Sequence, residues 1–452
     1  MRLHTRMLSA AFVLAVAGSA LAQSSNPKVN FKETRLANGL RVITVEDHNA
    51  PVIAVNVSYN VGSRNERPGR TGFAHLFEHM MFQGSENVGK SEHFMLVYNN
   101  GGTMNGTTNE DRTNYFEALP SNQLELALYL EADRMRSLAV TQENLDNQRN
   151  AVQEERRIGL DNAAYGKSGE IQQELMYDNF AYKHSTIGSM ADLNAASVAD
   201  VMAFFKMYYA PNNATLTLVG DFKAAEALAL IKKNFENIPR QPDPPPVDMN
   251  EPEQKAERRQ SVDDQLARLP RISIAYKTVP GNTADFYALQ VLANVLGGGA
   301  SSRFTQKLVR GKEMVTGANA FAQEMRGVGG FYITATPRNF KNEEVEAAVY
   351  DEIALIQKEP IADWELQKAK AAARRAFITG LQSSLGRANA IGQYATYYND
   401  ANLINTRIDK VTAVTKEDVQ RVANKYLVQT NRTVVITVPK ATGRGSMGGA
   451  TQ

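Results

Sequence analysis

Apolar and polar positions alternate most regularly over Val52–Tyr59, where Ile53, Val55, Val57 and Tyr59 fall on one side and Ala54, Asn56 and Ser58 on the other. A period of two predicts a strand with two distinct faces. Leu40–Val45 predicts the strand before it. The period then lengthens to that of a helix over Ser121–Ser137, Glu143–Ile158 and Val198–Tyr208. Ser197-Val-Ala-Asp200 is a capping box that starts the last of these, and Pro211 marks its end. A strand over Ala214–Val219 closes the set. Near its start lies Thr71–Gly84, TGFAHLFEHMMFQG, whose apolar Phe73, Leu76, Phe77, Met80, Met81 and Phe82 predict a helix buried around one polar edge.

The pattern then starts again. Ile272-Ser-Ile-Ala-Tyr276 echoes Val55-Asn-Val-Ser-Tyr59, and Tyr426 before Val434–Val438 echoes Tyr209 before Leu216–Val219. Both tyrosine pairs are 217 positions apart, and the capping box Thr415–Asp418 repeats Ser197–Asp200 at 218. Three matches at nearly one spacing indicate an internal duplication. Between the copies, Ile238–Arg258 is rich in proline and charge, which predicts a stiff, extended, exposed linker. The expected divisions are 23–237, 238–258 and 259–440, with a Gly-rich tail at 441–452 expected to be disordered. The expected fold class is α+β: two tandem homologous domains, each a mixed, largely antiparallel sheet with helices packed on one face.

Length supports two cores, since 452 residues exceed what one ordinary domain holds. A net charge of +2 leaves no footprint for nucleic acid or an anionic membrane. Residues 1–22 read as a cleavable signal: Arg2 and Arg6, an apolar run over Met7–Val16, and Ala20-Leu21-Ala22 before Gln23. That run is too short to span a bilayer. With no cysteine in the chain, disulfides and lipidation at a mature N-terminal Cys are excluded. A soluble, exported protein is expected, with the periplasm as its compartment.

The buried helix carries the chemistry. His75 and His79 stand at i and i+4, so both imidazoles leave one face within reach of a single metal ion. Glu78, on much the same side, can take the proton of a water that a metal polarises. Only six histidines occur in the chain, which makes two at ligand spacing beside a glutamate a specific signal. The second copy cannot rebuild this site. At the repeat spacing it has Leu292, Val295 and Leu296, and no histidine follows His184. His93 and His184 are read as ordinary core or surface residues.

With these residues the chain resembles the pitrilysin/insulinase-type zinc peptidases, the inverzincins, and among them the short members like the mitochondrial processing peptidases. His75-Leu-Phe-Glu78-His79 resembles the zinc signature, Gly101–Pro120 the second signature, and Leu296–Leu308 the Gly-rich segment of the second domain. The resemblance implies one Zn2+ per chain and a third ligand on another helix. Glu154 and Glu155 both fit its spacing, and the family pattern favours Glu155. A further family glutamate on that helix is Gln148 here, which puts an acid behind the metal in doubt. Asn105, Gly106 and Thr107 resemble the edge-strand segment whose backbone pairs with substrate. In the second domain the family pairs an Arg with a Tyr seven residues on; here Arg310 is followed by Gly317.

The function expected is a zinc-dependent endopeptidase of peptides or unfolded segments. His75, His79 and Glu155 would hold zinc, Glu78 would act as general base, and Asn105–Thr107 and Arg310 would contact substrate. The missing phenol implies the zinc-bearing half of a heterodimer, with a similar chain supplying the Arg/Tyr pair, in preference to a homodimer. The competing expectation is a non-catalytic assembly or peptide-binding subunit. The complete His-x-x-Glu-His set argues against it, because a structural copy has no need of it.

Overall fold

The computed structural model describes residues 28–440. The expected signal at 1–22 and tail at 441–452 lie outside the described residues. The first half contains β1 (Lys32–Arg35), β2 (Arg41–Glu46), β3 (Val52–Tyr59), α1 (Phe73–Met80), α2 (Glu92–Asn99), β4 (Thr103–Thr108) and β5 (Thr113–Pro120). It continues through α3 (Leu124–Ser137), α4 (Gln142–Arg156), α5 (Gly166–Met176), α6 (Val198–Tyr208), β6 (Ala214–Gly220) and α7 (Ala224–Phe235). The α-helix expected to reach Ile158 widens at Arg157 into a π-helical turn that runs through Gly159 to Asp161.

The second half contains β7 (Arg258–Asp264), β8 (Arg271–Lys277), α8 (Ala284–Gly297), β9 (Val315–Gln323) and β10 (Gly330–Pro337). After these come α9 (Asn342–Lys358), α10 (Asp363–Gly380), α11 (Ser384–Tyr398), α12 (Leu403–Ala413), α13 (Lys416–Tyr426) and β11 (Arg432–Pro439).

The two sheets run β1-β2-β6-β3-β5-β4 and β7-β11-β8-β10-β9. Without β1 the orders coincide. In each, the first of the matched strands lies parallel to its neighbour and the remaining pairs are antiparallel. Tyr59 and Tyr276 fall at the same end of matching strands, as a duplication requires.

Ile53, Val55, Val57 and Tyr59 face a core shared with α1, α3, α6 and α7. The opposite face of the sheet is not left to solvent. Helix α11 of the second half lies across it and packs Ala388, Ile391 and Ala395 against Ile43, Ala54 and Val219. Gly392 allows the approach, since a Cβ there would stand 2.6 Å from Asn56 Oδ1. In return, α5 of the first half packs on β7, β8 and β11, and Ser168 Oγ lies 2.6 Å from Thr437 Oγ1. Helices α5 and α11 stand at the repeat spacing, so each copy lends the same helix to the other's sheet.

The segment between the halves has no regular structure and most of its side chains are exposed. Several of them are nevertheless anchored. Glu251 accepts from the amides of Asp178 and Asn179 and pairs with Lys277 at 2.5 Å, while buried Gln254 donates to the carbonyls of Ala256, Thr430 and Arg432. The connection is therefore a clamped strap and not a free tether. Among the described residues, no helix is long and apolar enough to cross a membrane.

Candidate metal centre

Helix α1 starts at Gly72, whose positive φ of 84° and lack of a side chain let the chain turn against Ile187 and Gly188. A glycine cannot cap the first helical amides, and Glu66 does so instead. Its carboxylate accepts from Gly72 N at 2.9 Å and Ala74 N at 2.7 Å. His184 Nε2 lies 3.0 Å from Glu66 Oε2 and anchors this buried acid. His184 thus fixes the start of the helix that carries His75, Glu78 and His79. Sequence gave it no role, because the contact spans 118 positions.

One turn further along, the imidazoles converge on Glu155 in the last turn of α4. His75 Nε2 and His79 Nε2 each lie 3.5 Å from one of its two carboxylate oxygens. Ligand atoms of the three residues all fall within 4.8 Å of one another. Burial, with His79 beside it, lowers the His75 pKa to about 4, so the ring is the neutral donor that a metal needs. Glu154 points elsewhere and pairs with Arg157 at 3.0 Å. Two nitrogens and one carboxylate on two rigid helices suit a borderline cation such as zinc, with a coordination position left for water or substrate.

Residues 41–165 match the family described as Insulinase (Peptidase family M16), and residues 195–373 match the Peptidase M16 inactive domain. A zinc protease PqqE of Helicobacter pylori is 31% identical over 96% of this chain and 98% of its own length. The chain belongs to peptidase family M16. A probable mitochondrial-processing peptidase subunit beta of Arabidopsis thaliana is 23% identical over 89% of the chain and 78% of its own length. Among solved structures, a protease from Helicobacter pylori superimposes with a TM-score of 0.87 at 30% identity, covering 91% of this chain and all of that one. The first half of the periplasmic protease PqqL from Escherichia coli shares the fold at a TM-score of 0.74 and 18% identity, over 92% and 94% of the two chains.

Around the M16 site, Gln148 Oε1 lies 3.2 Å from His79 Nδ1. An amide oxygen there holds the proton on Nδ1 and leaves Nε2 to face Glu155. The position therefore keeps an acceptor behind His79, although it has lost the charge. Glu78 is buried, and Thr108 Oγ donates to its Oε2 at 2.5 Å. Burial raises its pKa against the pull of Thr108 and His79. The second oxygen, Oε1, faces Gly106, where a Cβ would stand 3.1 Å away. Sequence missed Thr108. Strand alternation is the signal that finds it, since residues 106 and 108 share the face that meets Glu78.

Strand β4 is the outermost strand of its sheet. Asn105 and Thr107 expose their side chains, Gly106 is covered by α1, and Asn105 Oδ1 accepts from the Gly106 amide at 2.8 Å. In the second half, α8 carries Leu292, Val295 and Leu296, all buried, where α1 carries His75, Glu78 and His79. Arg310 is exposed and forms no ion pair among the described residues. Gly317 lies on β9, the outermost strand of the second sheet, and nothing stands within 4 Å of where its Cβ would be.

Proposed function

We propose that this M16 chain is a zinc-dependent endopeptidase of peptides or unfolded segments in the periplasm, with the metal chemistry confined to the first domain, residues 23–237. The observation that carries the reading is the convergence of His75, His79 and Glu155 beside a buried Glu78 at an open sheet edge. His75, His79 and Glu155 would hold the ion. When bound, zinc supplies Lewis acidity toward water and the scissile carbonyl. Glu78, fixed through Oε2 by Thr108, takes the attacking water's proton and passes it to the leaving amine nitrogen. Backbone groups of Asn105–Thr107 would align the substrate as an added strand, which requires the Asn105 side chain to release the Gly106 amide.

The open space at Gly317 supports a second element of the proposal: the chain is the zinc-bearing member of a heterodimer, and a similar chain brings the Arg/Tyr pair to the substrate. The relatives described above, a zinc protease and a probable mitochondrial-processing peptidase subunit beta, agree with the reading. The test is metal analysis of the purified protein, followed by a peptidase assay with chelator and zinc add-back. Failure to bind zinc, or cleavage indifferent to chelation, overturns the reading. A non-catalytic subunit would bind zinc and cleave nothing, with or without a partner.

A further inference from the structure

A small cavity of about 170 Å³ lies between the start of α1 and the second half of α6. Its inner wall is apolar. Phe73, the first residue of α1, meets Phe204 edge-on with ring centres 6.4 Å apart, and Met207 and Tyr208 complete the wall. Phe73 and Tyr208 are buried, whereas Met207 is 42% exposed. An apolar cavity of about 150 Å³ is enough to hold benzene, so this space matches a single six-membered ring.

The rim is charged. Arg67 and Arg70 both face one carboxylate, Asp200, and neither comes closer to it than 3.4 Å. That carboxylate is already engaged, since it accepts from Ser197 Oγ at 2.7 Å and Ser197 N at 3.3 Å in the capping box of α6. Arg70 donates Nη1 to the Gly69 carbonyl, but its Nε is buried without a hydrogen bond. Arg67 is 73% exposed and has no other acid among the described residues. Glu66 also lines the cavity, yet its oxygens are taken by the amides of Gly72 and Ala74 and by His184. Two guanidinium groups therefore share one acid that is bonded elsewhere, and the rim carries an unmatched positive charge.

We infer that this cavity is a binding site for a small aryl carboxylate, with its ring against Phe204 and Met207 and its carboxylate on Arg67 and Arg70. Guanidinium forks match the two oxygens of a carboxylate, and an aromatic wall takes a ring offset or edge-on. Room for a single ring commits the site to a free acid of that size. None of His75, Glu78, His79 and Glu155 lines the cavity, so the site does not depend on the proposed chemistry. Phe73 nevertheless stands two residues before His75, and an occupant would brace the start of the helix that carries the histidines.

The test is calorimetric titration of the full zinc-loaded chain with phenylpropionate, with the neutral phenylpropanol, with acetate and with a short peptide ending in phenylalanine. Phenylpropionate should bind about tenfold more tightly than the alcohol, the scale of one charge-assisted contact. Arg70→Gln should weaken the acid about tenfold and leave the alcohol unchanged. Ala203 is an exposed residue of α6 on the cavity wall, and Ala203→Phe should fill the space and abolish binding of both. Bound acid should raise the melting temperature of the parent and not that of Ala203→Phe, whose circular dichroism should match the parent's. No binding of the acid, equal binding of acid and alcohol, or binding that survives Ala203→Phe overturns the proposal. Acetate as tight as phenylpropionate would reduce the site to the arginines alone, and a tighter peptide would make it the seat of a chain terminus. Either result also overturns the assignment.

Discussion

At single residues, the proposed site divides between groups that would hold the ion and groups that position them. His75→Ala or His79→Ala should abolish zinc loading, whereas Glu78→Gln should keep zinc and lower turnover on the order of 10²–10⁴-fold. Metal analysis paired with the peptidase assay separates the two effects. Glu155→Gln should weaken zinc strongly, while Glu154→Gln, which removes only a pair with Arg157, should not. Gln148→Ala should cost roughly 10–100-fold in zinc affinity, the usual effect of removing a histidine's outer partner. A competitive chelator titration of these variants reads that ordering directly. Equal affinities would mean that Gln148 does not orient His79.

For the elements, a buried polar cluster ties α2, β5 and α3 together beneath the hairpin that carries Thr108. His93 Nε2 lies 3.4 Å from Glu117 Oε2, Glu131 pairs with Arg134, and the Arg134 guanidinium lies 4.4 Å from the centre of the Tyr115 ring. Burial raises the Glu117 pKa to about 8 and, with Arg134 nearby, lowers His93 to about 3. The pair is therefore a neutral acid beside a neutral imidazole, and Arg134 is balanced by Glu131. Because the folded state holds the Glu117 proton more tightly than the unfolded chain, this contribution is fully present below about 4.5 and lost as pH rises through about 8. His93 runs the other way: its contribution is lost as pH falls from 6.5 through about 3. Glu117→Gln should flatten the fall in melting temperature between pH 5 and 9 relative to the parent. A parallel fall in both proteins would show that Glu117 is ionised in the fold.

Across the whole molecule, the exchanged helices make one body of two copies. Gly392 lets α11 lie close enough to Asn56 and Ser58 to cover the first sheet. Gly392→Val should destabilise by about 1–3 kcal/mol through overpacking. Thermal unfolding should show both halves lost together, and separate transitions would mean that the clasp does not couple them. At the same scale, Gly317→Tyr meets nothing within 4 Å of its Cβ and restores a donor of the kind whose loss typically costs on the order of a hundredfold. The lone variant should turn over peptide faster than the parent and respond less to added similar exported proteins. Full activity of the unmodified lone chain, indifferent to any such protein, would sink the heterodimer.

The sequence by itself carried whatever is written in local order. The alternation of Val52–Tyr59 gave that strand to the residue, and the i, i+4 histidines with Glu78 marked one helical face. The tyrosine spacing announced two copies whose sheets share one strand order. Such features depend on neighbours within a few positions, or on repetition, and both can be read along a chain. Other features depended on contacts between distant segments. Only the tertiary structure turned Glu155, and not Glu154, toward the imidazoles, set Gln148 behind His79, and placed Thr108 on Glu78. It also joined His184 to Glu66, 118 positions away, and so to the start of α1. The polar face of β3 reads as half-exposed in one dimension, yet it is buried, because the helix that covers it comes from the other copy. Periodicity states that a face exists, and packing alone decides what lies against it.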